Sequence, residues 1–149
     1  MRKLIRTNSS DKDFQSLVIE LDKDLKERNG ESNDFFAQFN KIDLIKNTVV
    51  AYDHNQPVGC GAMKVYDETS MEIKRMYVPI ENRGKGIAGA ILVELENWAR
   101  ELGCKKCILE TGNKMPEAIG LYKKSGYEII ANYGQYFGVE TSVCFEKKL

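Results

Sequence analysis

Hydrophobic and polar positions follow two different periods along the chain, and the change between them marks the predicted elements. Between residues 11 and 28 the apolar positions have the spacing of one buried helix face, namely Phe14, Leu17, Val18, Leu21 and Leu25. Ser10 is the predicted N-cap of this helix, and Asn29-Gly30 is its predicted end. A weaker helix is predicted over residues 34–39.

The next segment has the composition and the short polar turns of β-strands. Strands are predicted over residues 47–52, 57–66 and 71–78, and a turn of a few polar residues separates each strand from the next. Because short turns join consecutive strands, these strands are expected to pair as antiparallel hairpins.

The helical period returns after Val78. Apolar residues from Ile87 to Leu102 predict the strongest helix of the chain, and Gly103 is its predicted end. The remaining predicted elements are, in chain order, a strand over residues 107–110, a helix over residues 116–125, and strands over residues 127–131 and 139–146.

Elements in this order predict a mixed α/β domain, with a central mixed and mostly antiparallel sheet flanked by helices. The strand, helix and strand between residues 71 and 110 predict a right-handed crossover that joins two parallel strands. A chain of 149 residues fits one hydrophobic core, so residues 1–149 are expected to form a single domain.

Charge and hydropathy disfavour two classes of partner. The 22 Lys and Arg residues balance the 22 Asp and Glu residues, so the basic excess typical of nucleic-acid-binding proteins is missing. The sequence has no apolar run of about 18 residues, and a membrane-spanning helix is therefore not predicted. The first residues are too polar for a secretory signal, which makes the cytoplasm the expected location.

Cys104 and Cys107 form a C-x-x-C pair, a pattern shared by zinc sites and redox centres. A zinc site needs two further ligands, but the chain has a single histidine, His54, and no second C-x-x-C pair. A redox pair is expected at the start of a helix, whereas this pair leads into an apolar strand. We therefore expect structural thiols and no metal, and we expect His54 to be a turn residue.

The start of the strong helix has a composition that a helix by itself does not favour. Residues 83–86 are Arg, Gly, Lys and Gly, although positive charge is unfavourable at a helix N-terminus. Glycine also weakens the first turn and leaves its amides accessible. A bound anion would favour this combination, and phosphate or pyrophosphate is the natural ligand. The alternative is a glycine-rich turn whose charges are solvated.

Two known motifs overlap in this loop. Residues 84–89 match G-x-G-x-x-G, the dinucleotide fingerprint, and Glu110 lies near the position of a ribose-binding acid. However, residues 79–83 separate the loop from its strand, that strand is half polar, and only 60 residues follow Gly89. A doubly wound sheet does not fit, so a dinucleotide-dependent oxidoreductase is the weaker hypothesis.

The second motif is R-x-x-G-x-A, formed by Arg83, Gly86 and Ala88. It resembles the Q/R-x-x-G-x-G/A motif of the GCN5-related N-acetyltransferase (GNAT) family. Residues 118–127 resemble the A-x-x-L-Y-x-x-x-G-[FY] segment of the same family. Two motifs in the family's order and spacing are more specific than either alone. The resemblance implies the GNAT fold and the transfer of an acetyl group from acetyl-CoA to an amine.

The resemblance also implies which residues hold the pyrophosphate of acetyl-CoA. The backbone amides expected to contact it are those of Gly84, Gly86, Ile87, Ala88 and Gly89. Arg83 and Lys85 are expected to add positive charge. The family often has an asparagine where this chain has Met115, and the nearby Asn113 is expected to replace it.

By the same resemblance, the pantetheine arm pairs with the strand before the loop like an added strand. The Met76 carbonyl and the Val78 amide are its expected partners, and an amide near Met76 or Tyr77 is expected to face the thioester carbonyl. Homodimers are common in the family, and the resemblance therefore leaves a homodimer as an alternative to a monomer. A non-catalytic CoA-binding module is the second alternative to an enzyme.

Two side chains are candidates for proton transfer. Glu72 is the candidate base, acting through a water, because some family members have an acidic residue six positions before the last residue of this strand. The alternative is a surface ion pair with Lys64 or Lys74. Tyr122 is the candidate acid, because the resemblance brings it beside the sulfur of CoA; the alternative is a tyrosine that only packs.

The acceptor is the least defined part of the reaction. A small-molecule primary amine is favoured over a protein, because no charged groove or recognition segment stands out. The acidic and aromatic residues suited to a cationic amine are Glu20, Asp22, Asp24, Tyr133 and Tyr136. For the three acids, a solvated helix face is the alternative interpretation.

Overall fold

The described part of the chain comprises residues 2–29 and 45–149 of the computed structural model. The helices are α1 (Lys12–Asn29), α2 (Ile87–Glu101) and α3 (Pro116–Lys124). The strands are β1 (Arg2–Thr7), β2 (Asn47–Asp53), β3 (Gln56–Val65), β4 (Ser70–Tyr77), β5 (Lys106–Gly112), β6 (Glu128–Ile130) and β7 (Ser142–Lys148). Gly30 and the helix predicted over residues 34–39 lie outside the described residues.

The strands form one seven-stranded sheet with the order β1-β2-β3-β4-β5-β7-β6. Every neighbouring pair is antiparallel except β4 and β5, which run parallel. The mixed α/β fold, the antiparallel hairpins and the parallel crossover through α2 are therefore confirmed. β7 begins later than predicted, because the Ser142 amide donates to the Val139 carbonyl at 3.1 Å and closes a turn there.

The sequence predicted no strand before α1, and this was wrong. β1 is the edge strand and pairs with β2 along its whole length. Arg6 in β1 donates hydrogen bonds of 2.7 Å to both Glu94 and Glu101 of α2. Its guanidinium also lies 4.9 Å from the centre of the Trp98 ring. These partners are distant in sequence, and the local pattern therefore carried little sign of the strand.

The N-cap of α1 also differs from the prediction. The Phe14 amide donates to the carboxylate of Asp11 at 2.9 Å, so Asp11 and not Ser10 caps the helix. The Ser10 hydroxyl instead donates to the side-chain oxygen of Asn8. A carboxylate is a strong cap because it accepts the amide hydrogen bond and also faces the positive end of the helix dipole.

The two faces of the sheet are buried against different helices. One face packs on α2 and α3, and its fully buried members include Val49, Met63, Ile91, Leu95 and Phe145. The opposite face of the first strands packs on the apolar side of α1, with Phe14, Leu17, Val18, Val50 and Cys60 buried together. Burial on both sides fixes the sheet, and with it the ends of β4 and β5.

β4 and β5 diverge in their second halves. Their parallel ladder runs from Ser70↔Lys106 to Glu72↔Ile108 and ends there, although β4 continues to Tyr77. β4 also contains one extra residue relative to β3, since Cys60 pairs with Tyr77 and Ala62 with Lys74. Arg75, within this bulge, has a left-handed backbone with φ 57°. The divergence opens a wedge in the middle of the sheet.

Candidate active site

The glycine loop lies between β4 and α2, after a 3-10 turn at Ile80–Asn82. Gly84 and Gly86 have φ of 79° and 77°, a left-handed conformation that strongly favours glycine. A Cβ on Gly84, Gly86 or Gly89 would meet no heavy atom within 4 Å. Gly86 is the N-cap of α2 and contributes no side chain to it. The loop therefore leaves the start of α2 open, as an anion-binding helix N-terminus requires.

The two cations of the loop are arranged differently. The Arg83 Nε donates to the Val78 carbonyl at 2.7 Å, and its guanidinium lies 6.0 Å from the centre of the Tyr77 ring. This side chain is therefore held against the end of β4. Lys85 is exposed, and its carbonyl accepts a 2.7 Å hydrogen bond from Arg2.

A cleft of about 270 Å³ begins at this loop and runs between α1 and α3. Of the residues predicted to bind the cofactor, those that line it are Met76, Tyr77, Val78, Arg83, Gly84, Gly86, Ile87, Ala88 and Gly89. Lys85 and Asn113 are not among its lining residues, and Asn113 is exposed. Met115 lines the cleft at the start of α3.

A second cavity of about 110 Å³ continues from the cleft into the wedge between β4 and β5. The two spaces share Leu21, Met76, Met115, Ala118 and Tyr122 in their walls. The residues found only in the inner cavity are Leu25, Lys74, Arg75, Glu110, Thr111 and Gly112. An apolar cleft thus leads into a small chamber lined by charged side chains.

Tyr122 stands where the two spaces meet. It is 6% exposed, and its ring lies 5.8 Å from the rings of Tyr127 and Phe145. Burial, together with the charge of Glu110, raises the pKa of its hydroxyl above the ordinary value. The hydroxyl therefore stays protonated at neutral pH and can donate a proton or a hydrogen bond.

Glu72 does not line either space. It is 3% exposed, accepts a 2.7 Å hydrogen bond from the Tyr133 hydroxyl, and lies 3.8 Å from the Lys74 ammonium. The ion pair with Lys74 is one of the two alternatives considered from the sequence, although it is buried and not on the surface. Burial lowers the pKa of Lys74, while the charge of Glu72 opposes that shift.

Glu110 lines the inner cavity, although its place in the sequence indicated no role in catalysis. The Ser142 hydroxyl donates to its carboxylate at 2.7 Å. Burial raises the pKa of the Glu110 carboxyl to about 7, although the Ser142 hydrogen bond and the Lys74 charge oppose this shift. The sequence signal was a single acid at the end of an apolar strand, but only the fold brings it next to Tyr122.

Two acids of α1 form ion pairs, one with β4 and one within the helix itself. Asp22 accepts a 2.8 Å hydrogen bond from the buried Arg75, and Asp24 pairs with Arg28 at 3.2 Å. The Asp22 side chain is 54% exposed and the Asp24 side chain is 25% exposed, so these ion pairs lie on a partly solvated helix face. Glu20 is exposed, as the solvated-face interpretation expected.

The tyrosines before β7 pack together. The rings of Tyr133 and Tyr136 meet edge to face at 5.8 Å, and Tyr66 contacts Tyr133 in the same way at 5.2 Å. Tyr136 is 2% exposed. Neither Tyr133 nor Tyr136 is among the residues that line the two spaces described above.

The cysteines are free thiols in the described chain, and all except the half-buried Cys104 are fully buried. Within residues 2–29 and 45–149, no group of three or more His, Cys, Asp and Glu side chains is arranged to hold a metal ion. His54 is exposed in the β2–β3 turn, as predicted. Among the helices of this same part of the chain, none is long and apolar enough to cross a membrane.

Comparison with known proteins gives concordant results. The family model described as "Acetyltransferase (GNAT) domain" matches residues 45–129. The IAA acetyltransferase of Azospirillum brasilense is 35% identical over 102 residues, which cover 68% of this chain and 67% of the relative.

Two solved structures superpose on all or nearly all of this chain. A Klebsiella pneumoniae protein assigned as an acyl-CoA N-acyltransferase superposes with a TM-score of 0.83 at 26% identity, covering 100% of this chain and 98% of the other. A GNAT family acetyltransferase from Elizabethkingia anophelis, solved with acetyl-CoA bound, has a TM-score of 0.72 at 20% identity, with 99% and 98% covered. The second likeness, at this low identity, concerns the fold.

Proposed function

The chain belongs to the GNAT acetyltransferase family, and we propose that it transfers the acetyl group of acetyl-CoA to a primary amine of a small molecule. The observation that supports this most directly is the continuous space from the glycine loop to Tyr122. One end of this space suits an anion, its walls are apolar, and its far end is lined by groups able to transfer protons. A donor with a diphosphate, an extended arm and a reactive thioester has the same order of chemical groups.

Acetyl-CoA supplies the acetyl group as a thioester, and the chain supplies the groups that hold and orient it. The amides at the start of α2 and the positive charge of Arg83 and Lys85 suit the diphosphate. The chain from Met76 to Val78, at the end of β4, lies beyond the last pair of the ladder with β5, so its backbone groups suit pairing with an extended arm.

Tyr122 has the position and the protonation state for the general acid. Its hydroxyl is protonated at neutral pH because of its burial. It lines both the outer cleft and the inner cavity, and it can therefore give its proton to the sulfur as the C–S bond breaks. Glu72 has weaker geometric support as the base, since Tyr133 and Lys74 occupy its carboxylate outside the cavity.

Direct attack of the amine on the thioester carbon is favoured over a covalent enzyme intermediate. The residues lining the cleft and the inner cavity include no cysteine.

The test begins with binding and then proceeds to turnover. In thermal-shift measurements we expect acetyl-CoA to raise Tm in a concentration-dependent way, and NADH and NADPH to have little effect. Stabilisation by the nicotinamides alone would support the dinucleotide-dependent oxidoreductase instead.

Turnover is measured with a panel of primary amines, by release of free CoA and by mass spectrometry of the products. We expect at least one amine to gain an acetyl group in step with CoA release. Tight binding of acetyl-CoA with no acetylated product across a broad panel would favour the non-catalytic CoA-binding module.

A further inference from the structure

Glu110 is placed at the inner end of the donor cleft by β5. Its side chain shares the small cavity with Tyr122, and Ser142 of β7 holds its Oε2 through a 2.7 Å hydrogen bond. Glu110 pairs with Cys144 in the β5–β7 ladder, so its backbone position is fixed on that side. A carboxylate held in this way, beside a candidate acid, has the arrangement of an acid–base pair.

The groups around Glu110 come from several elements, and their charges partly cancel. Those that face it are Glu72 and Lys74 of β4, Tyr122 of α3, Tyr136 of the 3-10 turn at Gly134–Tyr136, and Cys144 of β7. The charge of Lys74 stabilises the Glu110 carboxylate, whereas the charge of Glu72, 3.8 Å from Lys74, works against it. Burial therefore decides the outcome, and the carboxyl has a pKa of about 7.

We propose that Glu110 is the general base that removes the proton from the acceptor ammonium, an inference that rests on the proposed acetyl transfer and adds the missing half of its proton chemistry. Glu110 lines the cavity that continues from the donor cleft, whereas Glu72 lies outside it with its carboxylate bound by Tyr133. A base that titrates near the working pH can both accept a proton and release it to water afterwards.

The proton balance closes with these two residues. The Glu110 carboxylate takes one proton from the ammonium, which leaves a neutral amine with a free electron pair. That pair forms the C–N bond at the thioester carbon, and the C–S bond breaks with its electrons on sulfur. Tyr122 gives the sulfur a proton and regains one from the amine nitrogen through water. Glu110 releases its proton to solvent, and the products are the acetylated amine, free CoA and one proton.

The first experiment is the pH profile of kcat/KM with one amine accepted by the wild type. We expect an acidic limb near pH 7 that reports Glu110, in addition to any limb set by the amine. Glu110→Gln should lower kcat/KM by about 100-fold or more and remove this limb. Ser142→Ala should keep the limb but move it to higher pH, because Ser142 stabilises the charged carboxylate. A limb set by the amine would not move.

Glu72→Gln provides the comparison with the other candidate base. We expect Glu72→Gln to retain the acidic limb that Glu110→Gln removes. The opposite pattern, with the limb kept in Glu110→Gln and lost in Glu72→Gln, would overturn the proposal for Glu110 and leave the acetyltransferase function intact.

A second measurement does not depend on knowing the acceptor. Carbon-13 NMR of glutamate-labelled protein should show one side-chain carboxyl that titrates near pH 7, and this signal should be missing in Glu110→Gln. A Glu110 carboxyl that titrates below about pH 5.5, within the ordinary range of glutamate, would overturn the proposal. If acetyl-CoA binds but no amine is acetylated by the wild type, the proposed function fails and the role of Glu110 fails with it.

Discussion

At the scale of single residues, Tyr122 combines a packing role with a chemical one. Its ring contacts Tyr127 and Phe145, and the residue also lines the cavity that holds Glu110. Tyr122→Phe keeps the ring and removes only the hydroxyl. We therefore expect kcat to fall about 100-fold or more, as for loss of a general acid, with little change in the Kd of acetyl-CoA.

The measurement for Tyr122 is steady-state kinetics combined with calorimetric titration of acetyl-CoA. An acceptor amine that supports turnover by the wild type is required for both proteins. Unchanged kcat in Tyr122→Phe would remove Tyr122 from the mechanism and leave it as a packing residue.

The raised pKa of Glu110 predicts how the free energy of unfolding depends on pH. Its pKa is raised from 4.5 to about 7 in the folded state, so the folded protein binds this proton more tightly than the unfolded chain. Its contribution to stability is complete below pH 4.5 and is lost as the pH rises through about 7. Glu110→Gln should therefore raise the free energy of unfolding by about 3 kcal/mol at pH 8, and hardly change it at pH 4.5.

Urea unfolding at the two pH values checks this prediction. Glu68→Gln is a suitable control, because Glu68 is exposed in the β3–β4 turn and the substitution should change stability little at either pH. Equal effects of Glu110→Gln at both pH values would mean that its carboxyl titrates alike in the folded and unfolded protein.

At the scale of elements, α2 approaches β3 closely at a glycine. A Cβ on Gly61 would lie 2.5 Å from the Met76 sulfur and 2.8 Å from the Ile91 side chain. Gly61→Ala should therefore lower the free energy of unfolding by about 1–3 kcal/mol, because the side chains of Met76 and Ile91 must shift in a packed core. Gly120→Ala in α3, where a Cβ would meet nothing within 4 Å, should raise it by up to about 1 kcal/mol.

Both glycine variants can be compared by chemical denaturation with the wild type. Each adds one methyl group, and the pair therefore separates crowding from helix propensity. Two changes of the same sign would contradict the close contact inferred at Gly61.

Elements differed in how well the sequence predicted them, and the difference has a physical cause. α2 has a complete apolar face, so its period alone predicted it from Ile87 onward. β1 was missed because an edge strand needs few apolar residues and is held by Arg6 contacts to α2. Asp11 was missed as the cap of α1 because Ser10 beside it is an equally good candidate by composition.

At the scale of the whole molecule, a polar network around the buried Glu96 joins elements that are distant in the chain. The Tyr127 hydroxyl and the Lys147 ammonium both donate 2.9 Å hydrogen bonds to Glu96, which is 2% exposed. These side chains belong to α2, β7 and the segment between α3 and β6. Tyr127→Phe leaves the Glu96 carboxylate with one partner fewer, and we expect a loss of about 1–3 kcal/mol in the free energy of unfolding.

Tyr66→Phe is the matched control for the network, because Tyr66 is 42% exposed and should lose less than about 0.5 kcal/mol. Both variants are compared with the wild type by urea unfolding at neutral pH. Equal losses in the two variants would show that the network contributes no more than an exposed hydroxyl does.

The candidate active site forms only when elements from different parts of the chain pack together. The inner cavity takes walls from α1, β4, β5 and α3, so residues from Leu21 to Tyr122 meet around it. Sequence motifs identified the donor side because the glycine loop and its helix are continuous in the chain. They could not identify Glu110, because its neighbours Ser142 and Lys74 lie more than thirty residues away on either side.

Residues close together in the chain were enough to identify the family, the order of most elements and the loop that suits a diphosphate. The tertiary structure alone decided that β4 and β5 diverge, that Glu72 is bound to Tyr133, and that Glu110 faces the cavity. The protonation of a carboxylate depends on its burial and on charges from several strands and helices. No local pattern contains that information, because those surroundings exist only once the sheet has formed.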